Sequence, residues 1–213
     1  MPDRLPFAVE PMILADLEQV MQIERVAFSA PWSSRAYRYE ITENEYSTML
    51  VVRAARHSDG RLPRLLRSLN LTGQGPVLGY GGSWLLVDET HIATLAVHSR
   101  WRGLGLGELL LLSLLERGAK MGARRATLEA RISNQVALAL YRKIGFEIVS
   151  TRRHYYVDNN EDAYIMTTPT FDAPGFQANL DRCRTRLYAR LSSAMEHDSP
   201  ASATQQASET RAR

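Results

Sequence analysis

The chain has 213 residues, 45% hydrophobic and 23% charged, which bounds it to one sizeable core or one core with an appendage. A formal charge of +3 is too mild to indicate nucleic-acid binding, and the single cysteine, Cys183, excludes an internal disulfide, so the expected setting is the reducing cytoplasm. The opening MPDRLPF carries no apolar core of a signal peptide, and the run Leu109 to Leu115 falls far short of the roughly 20 residues that span a membrane.

In chain order, FAVEPM (7–12) alternates and predicts a strand. Residues 16–28 carry Leu17, Val20, Ile23 and Ala27 at helical spacing, with Asp16 as the expected cap and Pro31 as the stop. Ser33 caps a second short helix that runs to about Asn44. STMLVVRAA (47–55) and VLGYGGSWLLV (77–87) predict two strands, the second with glycines that mark a bulge or a close backbone approach. Between them the insert 56–76 is longer than a usual connection and holds one or two helical turns in RLPRLLRSLN. HIATLAV (91–97) is a strand, a glycine-bearing loop and a leucine-rich helix follow, and RRATLEARI (124–132) is the next strand. Ser133 and Asn134 open a helix to Ile144, with Gly145 as its C-cap. FEIVSTRRHYYV and DAYIMTT form a hairpin around DNNED. Residues 176–196 place Leu180, Cys183, Leu187, Leu191 and Ala194 on one stripe, an amphipathic helix whose partner is its own domain or a second chain. This divides the chain into an α/β domain over 1–170, a C-terminal helix over 171–197 and a disordered tail over 198–213.

The segment Arg102-Gly103-Leu104-Gly105-Leu106-Gly107-Glu108 stands between a strand ending at Val97 and a long helix. The first N–H groups of a helix lack intrahelical acceptors, its dipole adds positive charge there, and glycine lets phosphate oxygens approach the backbone. Arg100 and Arg102 add charge nearby, so the segment can cradle a pyrophosphate. A dinucleotide fingerprint starting at Gly103 needs glycine where Glu108 stands, although Glu129 supplies an acid at the expected distance beyond.

Three further sets stand out. Alternation puts Leu128 and Ala130 on one face of their strand and Thr127, Glu129 and Arg131 on the other; a mid-strand carboxylate there is either a reactive group or a salt bridge with Arg131 or Arg153. Asn134 and Tyr141 share one helix face over roughly 10 Å, a face that could run along a pantetheine arm, although spacing alone favours a half-buried core tyrosine at Tyr141. RRHYY (152–156) fits base stacking, a peptide groove or a plain hairpin surface. The five histidines show no metal-ligand spacing, so no metal is expected.

The loop matches R/Q-x-x-G-x-G/A, the acetyl-CoA signature of the GNAT N-acetyltransferases. With APWS (30–33), IATLAV (92–97), LEARISNQVALALYRKIGF (128–146), RRHYY and EDAYIM (161–166), residues 7–168 resemble the RimI family of bacterial ribosomal-protein alanine N-acetyltransferases. The resemblance implies a GNAT fold: a mixed central sheet of about six to seven strands, splayed between strands four and five and flanked by helices. It implies acetyl-CoA as cosubstrate, held by Leu95, Ala96, Val97, Arg102, Gly103, Leu104, Gly105, Leu106, Gly107, Glu108 and Asn134, with the Val97 N–H as oxyanion donor. It casts Glu129 as general base, directly or through water, and Tyr141 as the acid that reprotonates the leaving thiolate. Trp32, Arg153, Tyr155 and Tyr156 become walls of a peptide groove. The implied partner is the N-terminal peptide of a small-subunit ribosomal protein, with no direct nucleic-acid or membrane contact, and the implied state is a monomer or weak homodimer. Two features depart from the pattern: Gly103 stands where a basic residue is usual, and the insert and the C-terminal helix are additions. A lysine or small-amine acceptor, or a non-catalytic acyl-CoA-binding module, are the alternatives.

Overall fold

In the computed structural model, which describes residues 5–55 and 75–196, the alternating segments become seven strands. They are β1 (Phe7–Pro11), β2 (Ser47–Ala54), β3 (Val77–Leu86), β4 (Glu89–Val97), β5 (Arg125–Arg131), β6 (Glu147–Tyr156) and β7 (Glu161–Thr167). The helices are α1 (Leu17–Ala27), α2 (Ser34–Thr42), α3 (Leu106–Lys120), α4 (Gln135–Ile144) and α5 (Pro174–Glu196). The expected insert lies, but for its last two residues, outside the described residues, and so does the expected tail.

One sheet runs in the order β1-β2-β3-β4-β5-β7-β6, and β4 with β5 is its parallel pair. That pair holds at three positions only, Glu89 with Arg125, Thr90 with Ala126 and His91 with Thr127. Beyond them β4 continues against β3 and β5 against β7, so the two strands part and leave a wedge. This is the expected splay, and the antiparallel remainder sets aside a doubly wound dinucleotide fold.

The period-2 pattern of β2 divides the core. Leu50, Val52 and Ala54 join α3, α4 and α5 on one face, while Met49 and Val51 join α1 and α2 on the other. The glycines of β3 mark both features expected of them: its register shifts between Gly82 and Ser83, and a Cβ at Gly79 would lie 2.8 Å from the Ala96 carbonyl. β4 begins two residues earlier than the sequence predicts, because Val87 and Asp88 make a tight turn that pairs Leu86 with Glu89.

The C-terminal helix finds its partner within the domain. Leu180, Cys183, Leu187 and Leu191 are buried in the same core as α3 and α4. Asn179 reinforces the contact by donating to the Lys143 and Ile144 carbonyls at 3.1 and 2.9 Å.

Two caps behave differently. Ser33 Oγ accepts the Ala36 N–H at 3.1 Å, as its position predicts. Asp16 sits at the N-cap of α1 but caps nothing there: it accepts the Ile13 N–H at 3.0 Å and ion-pairs with Arg53 from β2. Both residues are 2% exposed. A guanidinium taken from water needs a carboxylate more than the helix needs a cap. Asp16→Ala therefore lowers the unfolding free energy by about 3 kcal/mol, the low end for breaking a buried pair. The low end applies because Glu10 remains 3.4 Å from Arg53 Nε. Urea denaturation with an unchanged m-value checks this.

Candidate active site

Where β4 and β5 part, a cleft of about 710 Å3 opens between the α1–α2 connection, the splayed strands, α4 and the β6–β7 hairpin. Trp32, Leu95, Glu129, Asn134, Tyr141, Tyr155 and Tyr156 all line it.

Glu129 projects from β5 just past the last β4–β5 pairing, and its side chain is 14% exposed. Neither Arg131 nor Arg153 is its partner. Arg152 Nη1 lies 3.2 Å from Glu129 Oε1, and His91 Nε2 from β4 lies 3.3 Å from Oε2. Arg131 instead pairs with Asp158 at 2.9 Å and Glu161 at 3.1 Å, and its guanidinium stacks 3.8 Å above the Tyr156 ring. Hydrogen bonds from Ser133, then from Asn159 and Arg131, hold the Glu161 carboxyl down at about 2. The carboxylates around Arg131 are thus engaged, and Glu129 is held at the wedge by one arginine and one histidine.

Tyr141 is 9% exposed, with its ring 5.8 Å from Phe146. Burial, and then neighbouring Tyr156, push its phenol up to about 12, so it stays protonated at any physiological pH. Asn134 caps α4 by accepting the Ala137 N–H at 3.1 Å through Oδ1. Its amide nitrogen is the end that a ligand in the cleft can meet.

An aromatic row forms the opposite wall. Trp32 stacks on Trp84 at 5.6 Å, and Trp84 on His91 at 5.9 Å. Trp32 is fixed by a buried carboxylate: Glu24 accepts the Trp32 N–H at 2.7 Å and the hydroxyls of Tyr37, at 2.9 Å, and Tyr80. Burial raises the Glu24 carboxyl above its usual range despite those bonds.

Strict alternation puts Tyr155 and Tyr156 on opposite faces of β6, yet both line the cleft. The reason is a bulge: between Arg152, opposite Ala163, and Tyr156, opposite Glu161, the strand carries two extra residues. His154 takes a φ of 52° there and donates its N–H to Asp162 at 2.8 Å. The bulge leaves Arg153 exposed and off the cleft, and it is Arg152 that pairs with Glu129.

The glycine loop meets the end of β4 and α4. A Cβ on Gly107 would lie 3.7 Å from both Val97 and Leu140. Gly105 is the N-cap of α3 at φ 97°, and the first intrahelical bond runs from Leu109 N–H to its carbonyl at 2.9 Å. The N–H groups of Leu106, Gly107 and Glu108 therefore have no helical acceptor. The His98 N–H donates to Leu78 on β3, so alternation turns the Val97 and Leu95 N–H groups toward the open edge of the wedge. Arg102 Nε donates to the Val97 carbonyl at 3.1 Å. The Glu108 side chain faces inward, paired with Lys143 at 2.6 Å and Arg190 at 3.1 Å, so what it offers a ligand is its N–H. A Cβ on Gly105 would fall on the Arg190 guanidinium and 2.7 Å from Leu187, so this glycine makes room for α5.

Reasoning from sequence missed His91, Arg152, Trp84 and Glu24. Nothing in their spacing distinguishes them from surface or core residues; the splay, the bulge and the α1–α2 connection bring them together. Among the described residues no group of three His, Cys, Asp or Glu side chains is placed to hold a metal ion, and no helix is long and apolar enough to cross a membrane.

Comparisons with known proteins agree with this geometry. The model of the acetyltransferase (GNAT) family matches residues 17–146. A Bacillus subtilis protein, whose name provisionally assigns it ribosomal protein bS18-alanine N-acetylation, is 36% identical over 159 residues, 75% of this chain and 93% of that one. The Escherichia coli K12 [ribosomal protein bS18]-alanine N-acetyltransferase is 30% identical over 156 residues, 72% of this chain and 91% of that one. The crystal structure of the Escherichia coli ribosomal-protein-S18-alanine N-acetyltransferase superposes with a TM-score of 0.62 at 27% identity, covering 78% of this chain and 96% of that one. The chain belongs to the GNAT acetyltransferase family, is RimI-like within it, and is an N-acetyltransferase that draws its acetyl group from acetyl-CoA.

Proposed function

We propose that this enzyme acetylates the α-amine of a protein N-terminus, an N-terminal alanine in a small-subunit ribosomal protein, by direct transfer in a ternary complex in the cytoplasm. The observation that carries the reading is the wedge, where Glu129, Tyr141 and the open edge of β4 line one cleft beneath aromatic walls. The names of the bS18-alanine acetyltransferases among its relatives support the alanine.

In this reading the incoming chain end lies between Trp32 and the Tyr155–Tyr156 pair. An α-ammonium has a pKa of about 7.7–8.0, so Glu129 has only a modest proton to remove, directly or through water. His91 and Arg152 hold the carboxylate toward the wedge. As the amine adds to the thioester carbonyl, the Val97 N–H stabilises the charge on oxygen. When the C–S bond breaks, Tyr141 supplies a proton to sulfur. Leu95 to Val97 align the pantetheine arm, Asn134 contacts it, and residues 102–108 hold the pyrophosphate through backbone N–H groups and Arg102.

The test is thiol release from acetyl-CoA with two peptides from the source organism's own ribosomal protein. One has a free N-terminal alanine; the other has that amine blocked and an internal lysine free. Turnover on the first alone is expected. Turnover on the second moves the acceptor to lysine, and acetyl-CoA binding without turnover on either peptide discards the ribosomal substrate.

A further inference from the structure

We propose that α5 completes the cofactor site: Arg190 is a phosphate-binding residue for acetyl-CoA, placed there by Glu108. The inference rests on the reading of residues 102–108 as the pyrophosphate cradle and is independent of which amine is acetylated.

α5 lies outside the segment matched by the family, residues 17–146, and after the hairpin of β6 and β7. It docks at a particular place. Leu187 and Leu191 are 1% and 2% exposed, which fixes the backbone on either side of Arg190. The guanidinium lies against Gly105, the residue that caps α3 and precedes the three N–H groups without helical acceptors. Arg190 reaches the phosphate loop itself, and half of its side chain is open to solvent.

Charge makes the same point. Glu108 is 4% exposed and needs a counter-ion, and Lys143 alone, at 2.6 Å, supplies one. Arg190 is a second cation on the same carboxylate, at 3.1 Å. Among the described residues, one carboxylate with two cations leaves a net positive charge beside a helix N-terminus, an arrangement that favours an anion there. A guanidinium can keep one edge on Glu108 and turn another to a phosphate oxygen, because its five donors are spread in a planar fork. The arrangement also answers the departure at Gly103, where a basic residue is usual: a cation from α5 stands near the same loop.

The experiment compares affinities for acetyl-CoA and for S-acetylpantetheine, which has the same thioester and arm without the pyrophosphate or nucleotide. Both are measured by calorimetry, with no acceptor present. Arg190→Ala is expected to raise Kd for acetyl-CoA about tenfold, equal to 1.4 kcal/mol, and to leave Kd for S-acetylpantetheine unchanged. Arg190→Lys is expected to recover part of the loss. An equal loss for both ligands, or none for acetyl-CoA, overturns the proposal and makes Arg190 a packing residue. If the wild type itself binds both ligands equally, the cradle assignment fails, and this proposal fails with it. Thermal melting of both variants shows that α5 remains docked.

Discussion

Glu129→Gln lowers kcat for acetyl transfer to an N-terminal peptide by roughly 10²–10⁴-fold, the contribution typical of a positioned general base. Affinity for acetyl-CoA changes little. Glutamine keeps the shape of the side chain and can still accept from Arg152, so the strand and the wedge survive. What is lost is the ability to take a proton. The deficit should shrink as pH rises, because above about pH 8 most of the α-amine is already free and a base has less to do. Steady-state kinetics between pH 6 and 10 provide the check. A loss that stays the same across that range would make Glu129 an electrostatic anchor for the ammonium. Unchanged kcat at every pH would leave it only the salt-bridge role that the sequence also allowed.

Much of this site was legible before any coordinates. The alternation of TLEAR put Glu129 on the less buried face of its strand, and the helical spacing of Asn134 and Tyr141 put both on the cleft side of α4. Those are local periodicities, and local periodicity survives folding. The failures have other causes. Arg153 was displaced from the cleft by two extra residues at His154, and a bulge leaves no trace in an apolar-polar pattern that is polar throughout. Asp16 was drawn from its capping role by Arg53, 37 residues away. The inward-facing Glu108 meets Lys143 and also Arg190, 82 residues away, in a helix whose docking face was readable but whose docking site was not. His91 became a neighbour of Glu129 because the parallel pairing ends at His91 and Thr127. The last three are pairings between charged or polar groups distant in sequence. Such pairings are decided by where desolvated groups must find partners, and composition does not encode that.

Tyr141→Phe is expected to reduce kcat by a similar factor, roughly 10²–10⁴, with almost no change in thermal stability. Phenylalanine fills the same buried volume against Phe146, and among the described residues the Tyr141 hydroxyl has no hydrogen-bond partner for the fold to lose. A phenol at about 12 is at first sight a poor donor to a thiolate whose conjugate acid sits near 8.5. That gap compares a buried acid with a solvated base. The leaving sulfur would depart into the same cleft, and the desolvation that raises the phenol raises the thiol as well. The proton then moves between groups shifted in one direction, and transfer can accompany C–S cleavage. A pH profile follows from the sign. Tyr141 must be protonated to act, and activity that depends on it is lost only as pH rises toward about 12. Wild-type kcat should therefore show no descending alkaline limb between pH 6 and 10, and Tyr141→Phe should lower the plateau without changing its shape. A descending limb centred near pH 9 that disappears in Tyr141→Phe would mean that the phenol is less buried in the working enzyme, and that the cleft does not dry the leaving group. An unchanged plateau would return Tyr141 to the core and leave the departing thiolate to be protonated by water.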